Sequence, residues 1–346
     1  MTRSLLARMI LTLGLLSALF AGPVHLQSSQ AQTEQLYLAL GDSIPAGLLA
    51  SLPTERGYPA LLRDLMEAER LSSDDPGTVE LINLARAGET IQSFQDDGQL
   101  QDALSEIETA PAGSLRTVTL TIGGNNILPL WEATSAERDE QLQEFEAEYN
   151  EVIDQLASAL GAHDADVVVT TYYDLTEGDA GIEGSNAWWL RQFNNVIRDA
   201  AREAGFAVVD LESLFEDRIG ELTWFPADIH PGNAGHQFIA RSIWRELSYD
   251  QTAPDVEITR PDEVDARSRV PTIHASVTDN VEIDSVMLQI DSEDSHDLIY
   301  VPDRDAWIGV WDARDVERNE ATLTVVATDV SGNESRDSVT ISLPSR

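Results

Sequence analysis

The sequence contains no cysteine and no lysine. Without cysteine the chain has neither a disulfide nor a thiol nucleophile, so its stability outside a cell would depend on core packing alone. All 22 basic residues are arginine, against 61 Asp and Glu residues, and the formal net charge is −39. Because nucleic-acid binding depends largely on Lys and Arg that neutralise phosphates, this charge argues against a nucleic-acid partner.

The sequence also lacks an apolar run long enough to cross a bilayer. The apolar run at 9–21 has about 13 residues, whereas a spanning helix needs about 20. It follows Arg3 and Arg8 and leads into a polar stretch that ends at Ala31. A basic start, a short apolar centre and a small residue at the end predict a signal peptide over residues 1–31, and therefore secretion. A single-pass membrane anchor is the alternative.

Short apolar runs alternate with longer amphipathic segments between residues 36 and 247, which predicts a parallel sheet wrapped by helices. The predicted strands are Leu36–Leu40, Val79–Ala85, Thr117–Ile122, Asp166–Tyr172 and Ala207–Leu211. The predicted helices are Tyr58–Leu71, Gln99–Thr109, Ala136–Leu160, Asn186–Ala204 and Gly235–Leu247. The sequence therefore predicts an α/β domain over residues 32–250.

The pattern changes after Tyr249, where period-two segments replace the helical ones. The predicted strands are Thr272–Thr278, Ile283–Ile290, Ala306–Trp311, Thr322–Thr328 and Ser338–Ser342, separated by Asp, Asn, Gly and Pro turns. This spacing predicts a small β-sandwich over residues 251–346. The phrases at 277–286 and 325–335 resemble bacterial immunoglobulin-like modules. Such a module could act as a spacer or bind a carbohydrate or cell-surface partner.

Four polar clusters fall where the predicted α/β sheet would place a common site, because ligands of such sheets bind at the carboxyl ends of the strands. The first strand ends in Gly41-Asp42-Ser43, and Gly88 follows the second. Gly-Gly-Asn-Asn at 123–126 follows the third strand, and Asp-Ile-His-Pro at 228–231 precedes the last helix. Each cluster alone is an ordinary turn. Their occurrence together and in this order indicates one site.

These motifs resemble the SGNH hydrolases, also called GDSL esterases, over about residues 36–247. The resemblance implies a flavodoxin-like three-layer α/β sandwich and a serine carboxylic ester hydrolase that needs no cofactor. It makes Ser43 the nucleophile and His230 its base. The backbone N–H of Ser43, the N–H of Gly88 and the side-chain amide of Asn125 would form the oxyanion hole.

The residue types agree with this chemistry. A serine hydroxyl attacks an ester only when an imidazole takes its proton, and fixed hydrogen-bond donors stabilise the oxyanion that results. The substrate would be a short or medium acyl ester, a lipid or an acetylated glycan. A catalytically inactive SGNH-like binding or adhesion protein of the cell surface is the alternative function.

Two positions depart from the family pattern. The triad acid usually stands three residues before the histidine, where this chain has Ala227; Asp228 is the nearest carboxylate. Asp228 could orient His230 in an extended segment, because residues two apart share a side there; a backbone carbonyl within 224–227 is the alternative. Asn126 replaces the usual Asp and would change a supporting hydrogen bond.

A metal site is the competing interpretation of the histidine segment, since Asp228, His230 and His236 can all ligate zinc. The helix expected from Gly235 would carry His236 away from the other two. The sequence therefore predicts no metal there.

Overall fold

The computed structural model describes residues 34–73, 76–176, 178–260, 269–291 and 294–344. The predicted signal peptide at 1–31 lies outside these residues. Within them, no helix is both long and apolar enough to cross a membrane. An α/β region comes first along the chain and an all-β region follows it.

A parallel sheet forms the centre of the α/β region. Its strands are β1 (Gln35–Gly41), β2 (Val79–Asn83), β3 (Leu115–Thr121), β4 (Asp166–Thr170) and β5 (Ala207–Val209). Their order across the sheet is β2-β1-β3-β4-β5, and every pairing is parallel. This is the flavodoxin-like order, and it confirms the predicted fold class. It also places the carboxyl ends of β1 and β3 side by side.

All five predicted strands are present. β2, β4 and β5 end two residues earlier than predicted and β3 one residue earlier, and the contacts of β2 and β4 give a local reason. β2 stops at Asn83 because the Asn83 side chain accepts a hydrogen bond from the N–H of Ala85 and closes a turn. β4 stops at Thr170, and the backbone of Tyr172 bonds the Asn194 side chain through both its N–H and its carbonyl. Tyr172 therefore lies in the loop after β4 and not in the strand.

Helices cover the sheet. They are α1 (Pro53–Arg56), α2 (Tyr58–Ser72), α3 (Ile91–Asp96), α4 (Gln99–Thr109), α5 (Gly124–Ile127), α6 (Ser135–Leu160), α7 (Asn186–Glu203), α8 (Leu211–Leu214), α9 (Ile219–Leu222) and α10 (Asn233–Leu247). The helices of 11 or more residues match the predicted ones. The others are too short for a 3.6-residue period to reveal them. α6 begins with a reciprocal cap between Thr134 and Glu137, which satisfies backbone N–H groups of its first turn.

The core of the α/β region contains buried hydroxyls that bond one another. β3 buries Thr119 and Thr121, and their hydroxyls bond the hydroxyls of Tyr37 and Tyr58 at 2.8 and 3.1 Å. Buried hydroxyls are costly without partners, so these pairs allow tyrosines to fill the core.

The β region consists of two antiparallel four-stranded sheets, in the orders β10-β11-β7-β6 and β13-β12-β8-β9. The strands are β6 (Asp255–Arg260), β7 (Thr272–Thr278), β8 (Ile283–Ile290), β9 (Asp294–Asp297), β10 (Ile299–Val301), β11 (Ala306–Val310), β12 (Glu320–Asp329) and β13 (Glu334–Ser342). Side chains from both sheets share one apolar cluster that includes Ile273, Leu288 and Leu323. This arrangement is consistent with an immunoglobulin-like module.

The β region contacts the α/β region through α10. Arg241 forms ion pairs with Glu282 and Asp284, and Arg245 forms one with Asp284. The indole N–H of the buried Trp244 donates to the Ser331 hydroxyl at 2.8 Å.

Candidate active site

Ser43 lies in a tight turn at the carboxyl end of β1. The turn needs Gly41, whose φ is +127°, because a Cβ there would lie 1.9 Å from the Thr121 carbonyl oxygen on β3. The Asp42 carboxylate accepts a hydrogen bond from the N–H of Ile44 at 3.0 Å, which fixes the backbone on both sides of Ser43. The nucleophile predicted from the sequence is therefore held where a parallel sheet presents its ligands.

His230 bridges Ser43 and Asp228. Its Nε2 lies 2.8 Å from Ser43 Oγ, and its Nδ1 lies 2.5 Å from Asp228 Oδ1. The carboxylate accepts a hydrogen bond from the Nδ1–H, which leaves Nε2 free to accept a proton from the serine hydroxyl. The hydrogen bond from the His230 ring holds the pKa of Asp228 below its usual range, and the His230 backbone N–H adds to this effect. Asp228, and not a backbone carbonyl of residues 224–227, is therefore the acceptor for His230 Nδ1.

Neighbouring groups hold the segment that carries His230. The Trp224 N–H donates to the His230 carbonyl at 3.0 Å. The Tyr173 hydroxyl donates to the Ile229 carbonyl at 2.7 Å. Asp228 Oδ1 also accepts from the His230 N–H at 3.0 Å, so the Asp228 side chain shapes the turn as well as the ring. An acid two residues before the histidine therefore reaches its ring, although the family pattern has the acid three residues before it.

His236 is separate from this site. It is fully buried on α10, and its Nδ1 accepts from the Tyr58 N–H at 3.3 Å. Burial lowers the pKa of His236 to about 4, which keeps the ring neutral. Among the described residues, the acidic and histidine side chains close enough to hold a metal are Asp250, Asp279 and Asp329, far along the chain from Ser43.

The two asparagines after β3 connect their loop to the loop after β2. The Asn125 side chain donates to the Glu89 carbonyl at 2.8 Å, and the Asn126 side chain accepts from the Ile91 N–H at 2.9 Å. Asn125 also lines the cavity beside Ser43. Gly88 is exposed and lies outside the lining of that cavity, one residue before Glu89. The structure thus brings Asn125 to Ser43, whereas it does not bring Gly88 into the lining of the cavity.

Sequence reasoning missed a buried pair behind the nucleophile. The Tyr172 hydroxyl donates to Asp42 Oδ2 at 2.5 Å. Burial raises the pKa of Asp42 to about 6, although the hydrogen bonds from Tyr172 and Ile44 and the nearby His230 act in the opposite direction. Part of the signal lies in the sequence, because Tyr172 is the last residue of the predicted fourth strand and ligands bind at the carboxyl ends of such strands.

An apolar cavity of about 60 Å³ opens at Ser43. Beyond the polar groups already described, its walls are apolar and aromatic: Ile44, Ile127, Leu128, Trp131, Tyr173, Leu175, Leu190 and Ile229. Such a lining favours an uncharged, apolar group next to the reacting atoms.

Three solved structures illustrate what the chain is similar to. The acetylxylan esterase Axe2 from Geobacillus stearothermophilus is 19% identical, with a TM-score of 0.48 over 63% of this chain and 97% of that one. LAE5, an alpha/beta hydrolase enzyme from the metagenome of Lake Arreo, Spain, is 20% identical, with a TM-score of 0.47 over 63% and 97%. The acetyl xylan esterase AlAXEase is 22% identical, with a TM-score of 0.44 over 60% and 98%. No curated protein sequence matches the chain.

The sequence profile of the GDSL-like Lipase/Acylhydrolase family matches residues 39–238, more than half of the chain. The matched segment begins within β1, includes Ser43 and His230, and ends within α10. The chain therefore belongs to the GDSL-like lipase/acylhydrolase family and is a carboxylic ester hydrolase.

Proposed function

We propose that this protein is a secreted serine esterase that cleaves short or medium acyl esters through an acyl-enzyme on Ser43. The observation that carries the proposal is the continuous hydrogen-bonded set from Ser43 Oγ through His230 to Asp228, with distances of 2.8 and 2.5 Å. This is the arrangement that ester hydrolysis by a serine nucleophile requires.

The first half-reaction forms the acyl-enzyme. Ser43 Oγ attacks the ester carbonyl carbon while His230 Nε2 takes the hydroxyl proton, and Asp228 stabilises the imidazolium. The carbonyl oxygen becomes an oxyanion. The Ser43 N–H and the Asn125 amide, which lie at the cavity, stabilise it, and a contribution of the Gly88 N–H stays the prediction from the family pattern. The C–O bond to the alcohol then breaks, and His230 returns its proton to the leaving oxygen.

The second half-reaction releases the acid. His230 takes a proton from water, the hydroxide attacks the acyl carbon, and the Ser43–acyl bond breaks with return of the proton to Ser43 Oγ. The same donors stabilise the second oxyanion. No cofactor enters either step.

The cavity supports an apolar acyl group. At about 60 Å³ it offers room for a few carbon atoms, and its walls offer apolar contacts that an acetyl group would leave largely unused. Leu48, Leu49, Leu52 and Trp224 are also exposed on the loops that carry Ser43 and His230. Together these features favour esters with short apolar chains over charged substrates, which the net charge of −39 would repel when they are anionic.

The inactive-protein alternative rested on Ala227, on Asn126 and on the appended β module. Asp228 bonds His230 in place of an acid at 227, and Asn126 retains a supporting bond to the Ile91 N–H. Neither departure therefore remains as a reason for inactivity. Secretion rests on the sequence of residues 1–31, and a carbohydrate or cell-surface contact of the β region stays a prediction.

Hydrolysis of p-nitrophenyl acetate, butyrate and decanoate tests the proposal, with protein that lacks residues 1–31 in low and in high salt. We expect butyrate to give the highest kcat/KM, because its chain fits the cavity and the decanoyl chain exceeds it. Ser43→Ala should lower kcat by several orders of magnitude.

Ser51→Ala is the matched control, because Ser51 follows in the same loop and bonds Asn233, away from His230. Activity in Ser51→Ala together with loss in Ser43→Ala would support the mechanism. Equal activity in the Ser43→Ala variant would refute the role of Ser43. A preference for p-nitrophenyl acetate, together with release of acetate from acetylated xylan, would replace the proposed substrate class with acetylated glycans.

A further inference from the structure

Asp42 is a buried carboxylate that the proposed chemistry does not use. It is 2% exposed and lies between Gly41 and Ser43. Its Oδ1 accepts from the Ile44 N–H, and its Oδ2 accepts from the Tyr172 hydroxyl. A buried carboxylate is costly unless donors satisfy it, so its two bonds must hold the turn in one geometry.

Tyr172 is itself fixed at both ends. Its backbone N–H and carbonyl bond the two polar atoms of the buried Asn194 side chain on α7, at 3.0 and 2.8 Å. Its hydroxyl ends on Asp42. The ring therefore spans a set distance between α7 and the nucleophile turn.

The Tyr172 ring also supports the loop that carries Asn125. A Cβ at Gly124 would lie 2.6 Å from Tyr172 Cε1, so the backbone of that loop packs directly on the ring. Tyr172 thus contacts both the Ser43 turn and the start of the Asn125 loop.

We propose that Tyr172 and Asp42 are positioning residues that set the distance between the nucleophile Ser43 and the oxyanion donor Asn125. The inference rests on the proposed function, which gives Ser43 and Asn125 those roles. Neither positioning residue takes part in a bond change. Their effect is on the transition state, because misplacement of reacting groups by about 1 Å can cost about 100-fold in rate.

The experiment compares Tyr172→Phe with Tyr37→Phe, using p-nitrophenyl butyrate as substrate. Each variant loses one buried tyrosine hydroxyl, and the Tyr37 hydroxyl bonds Thr119 in the core. We expect Tyr172→Phe to lower kcat about 10- to 100-fold, with KM within about twofold. Tyr37→Phe should lose a similar amount of thermal stability and keep its kcat within about twofold.

A double-mutant cycle adds Asp42→Asn. If the two residues act together, Asp42→Asn combined with Tyr172→Phe should lower kcat no further than the more damaging single change. Full additivity of the two effects would overturn the joint role. If Tyr172→Phe folds poorly, the Asp42→Asn variant alone still tests the proposal, because it should show the fall in kcat at constant KM.

The outcomes separate this inference from the proposed function. Lack of any activity in the parent protein above Ser43→Ala would refute the proposed function. An active parent whose kcat is unchanged in Tyr172→Phe, or equally lowered in Tyr37→Phe, would overturn the positioning role alone.

Discussion

The α/β region and the β region both bury carboxylates, but they arrange them differently. In the α/β region Asp42 is 2% exposed, receives hydrogen bonds from Tyr172 and Ile44, and lies near His230. Asp250, which follows α10, and Asp329, at the end of β12, are buried beside the partly buried Asp279 of the β region, and the oxygens of the three lie within 4.8 Å of one another. Asp42 is held by its own two donors, whereas Asp250, Asp279 and Asp329 form a group of three.

The grouped acids receive hydrogen bonds from neutral donors within the described residues. Asn280 and Ser331 donate to Asp250, and Asn333 donates to Asp329 through its backbone and its side chain. Burial raises the pKa of Asp279, and the charges of Asp329 and Asp250 add to the shift. We infer that changes near Ser43 should alter catalysis, and that changes near Asp279 should alter stability.

The largest expected effect is on catalysis in the α/β region. Asp228→Ala removes the acceptor that orients His230 and should lower kcat about 10³- to 10⁴-fold. Asp312→Ala is the control, because Asp312 is an exposed carboxylate of the β region that bonds Arg314. Initial rates with p-nitrophenyl butyrate measure both. A loss below tenfold in Asp228→Ala would mean that His230 functions without this acid.

The next effect is on stability and depends on pH. The folded-state pKa of Asp42 is about 6, above its ordinary 3.8, so ionised Asp42 destabilises the fold above pH 6 and this cost disappears as pH falls towards 4. Asp42→Asn should therefore raise the free energy of unfolding by about 2–3 kcal/mol at pH 8. The gain should shrink steadily below pH 6.

Urea unfolding at pH 8 and pH 5 measures this difference, and Asp64→Asn, on the exposed side of α2, is the control. Equal gains at the two pH values would contradict ionisation as the cause. If Asp42→Asn both unfolds less readily at pH 8 and has a lower kcat, the native Asp42 lowers stability while it holds Ser43 in its catalytic position.

A smaller effect is expected at the three grouped acids. Asp279→Asn removes one charge while the side-chain oxygen can still accept from the Val281 N–H. We expect a gain of up to about 1 kcal/mol at neutral pH and low salt. Because the pKa of Asp279 is raised, the gain should fade as pH drops and the native acid takes up a proton.

Thermal unfolding in a chelating buffer measures it, so that no free cation screens the carboxylates. Asp255→Asn, at the exposed start of β6, is the control. A loss of stability in Asp279→Asn would show that this carboxylate has an attractive partner and would reverse the comparison between the regions.

The smallest effect is expected at the contact between α10 and β8. Asp284→Ala removes the acceptor that Arg241 and Arg245 share, at 2.7 and 3.1 Å. We expect the free energy of unfolding to fall by about 0.5–1 kcal/mol at low salt. In 1 M salt this loss should become smaller, because partly exposed ion pairs are screened. Denaturant unfolding at two salt concentrations measures it. A large, salt-independent loss would mean that the two regions depend on this contact for folding.

The long elements and the set of polar clusters could be predicted from the sequence because their signals are local. Apolar runs and helical periods predicted β1 to β5 and the longer helices, and Gly-Asp-Ser after a strand predicted the position of Ser43. The edge strand β6 was missed, because only two apolar residues, Val256 and Ile258, alternate with polar ones there. β9 and β10 are too short for a period-two pattern to establish.

What the sequence by itself determined was therefore which residues reach the carboxyl edge of the sheet and which of them can transfer a proton or stabilise an oxyanion. Only the tertiary structure decided that Asp228 meets His230 and that Asn125 lines the cavity while Gly88 does not. It also brought Tyr172 onto Asp42, a hydrogen bond between residues 130 positions apart. Such contacts depend on how separate loops pack on one another, and neither local periodicity nor turn preference predicts the distance between two loops.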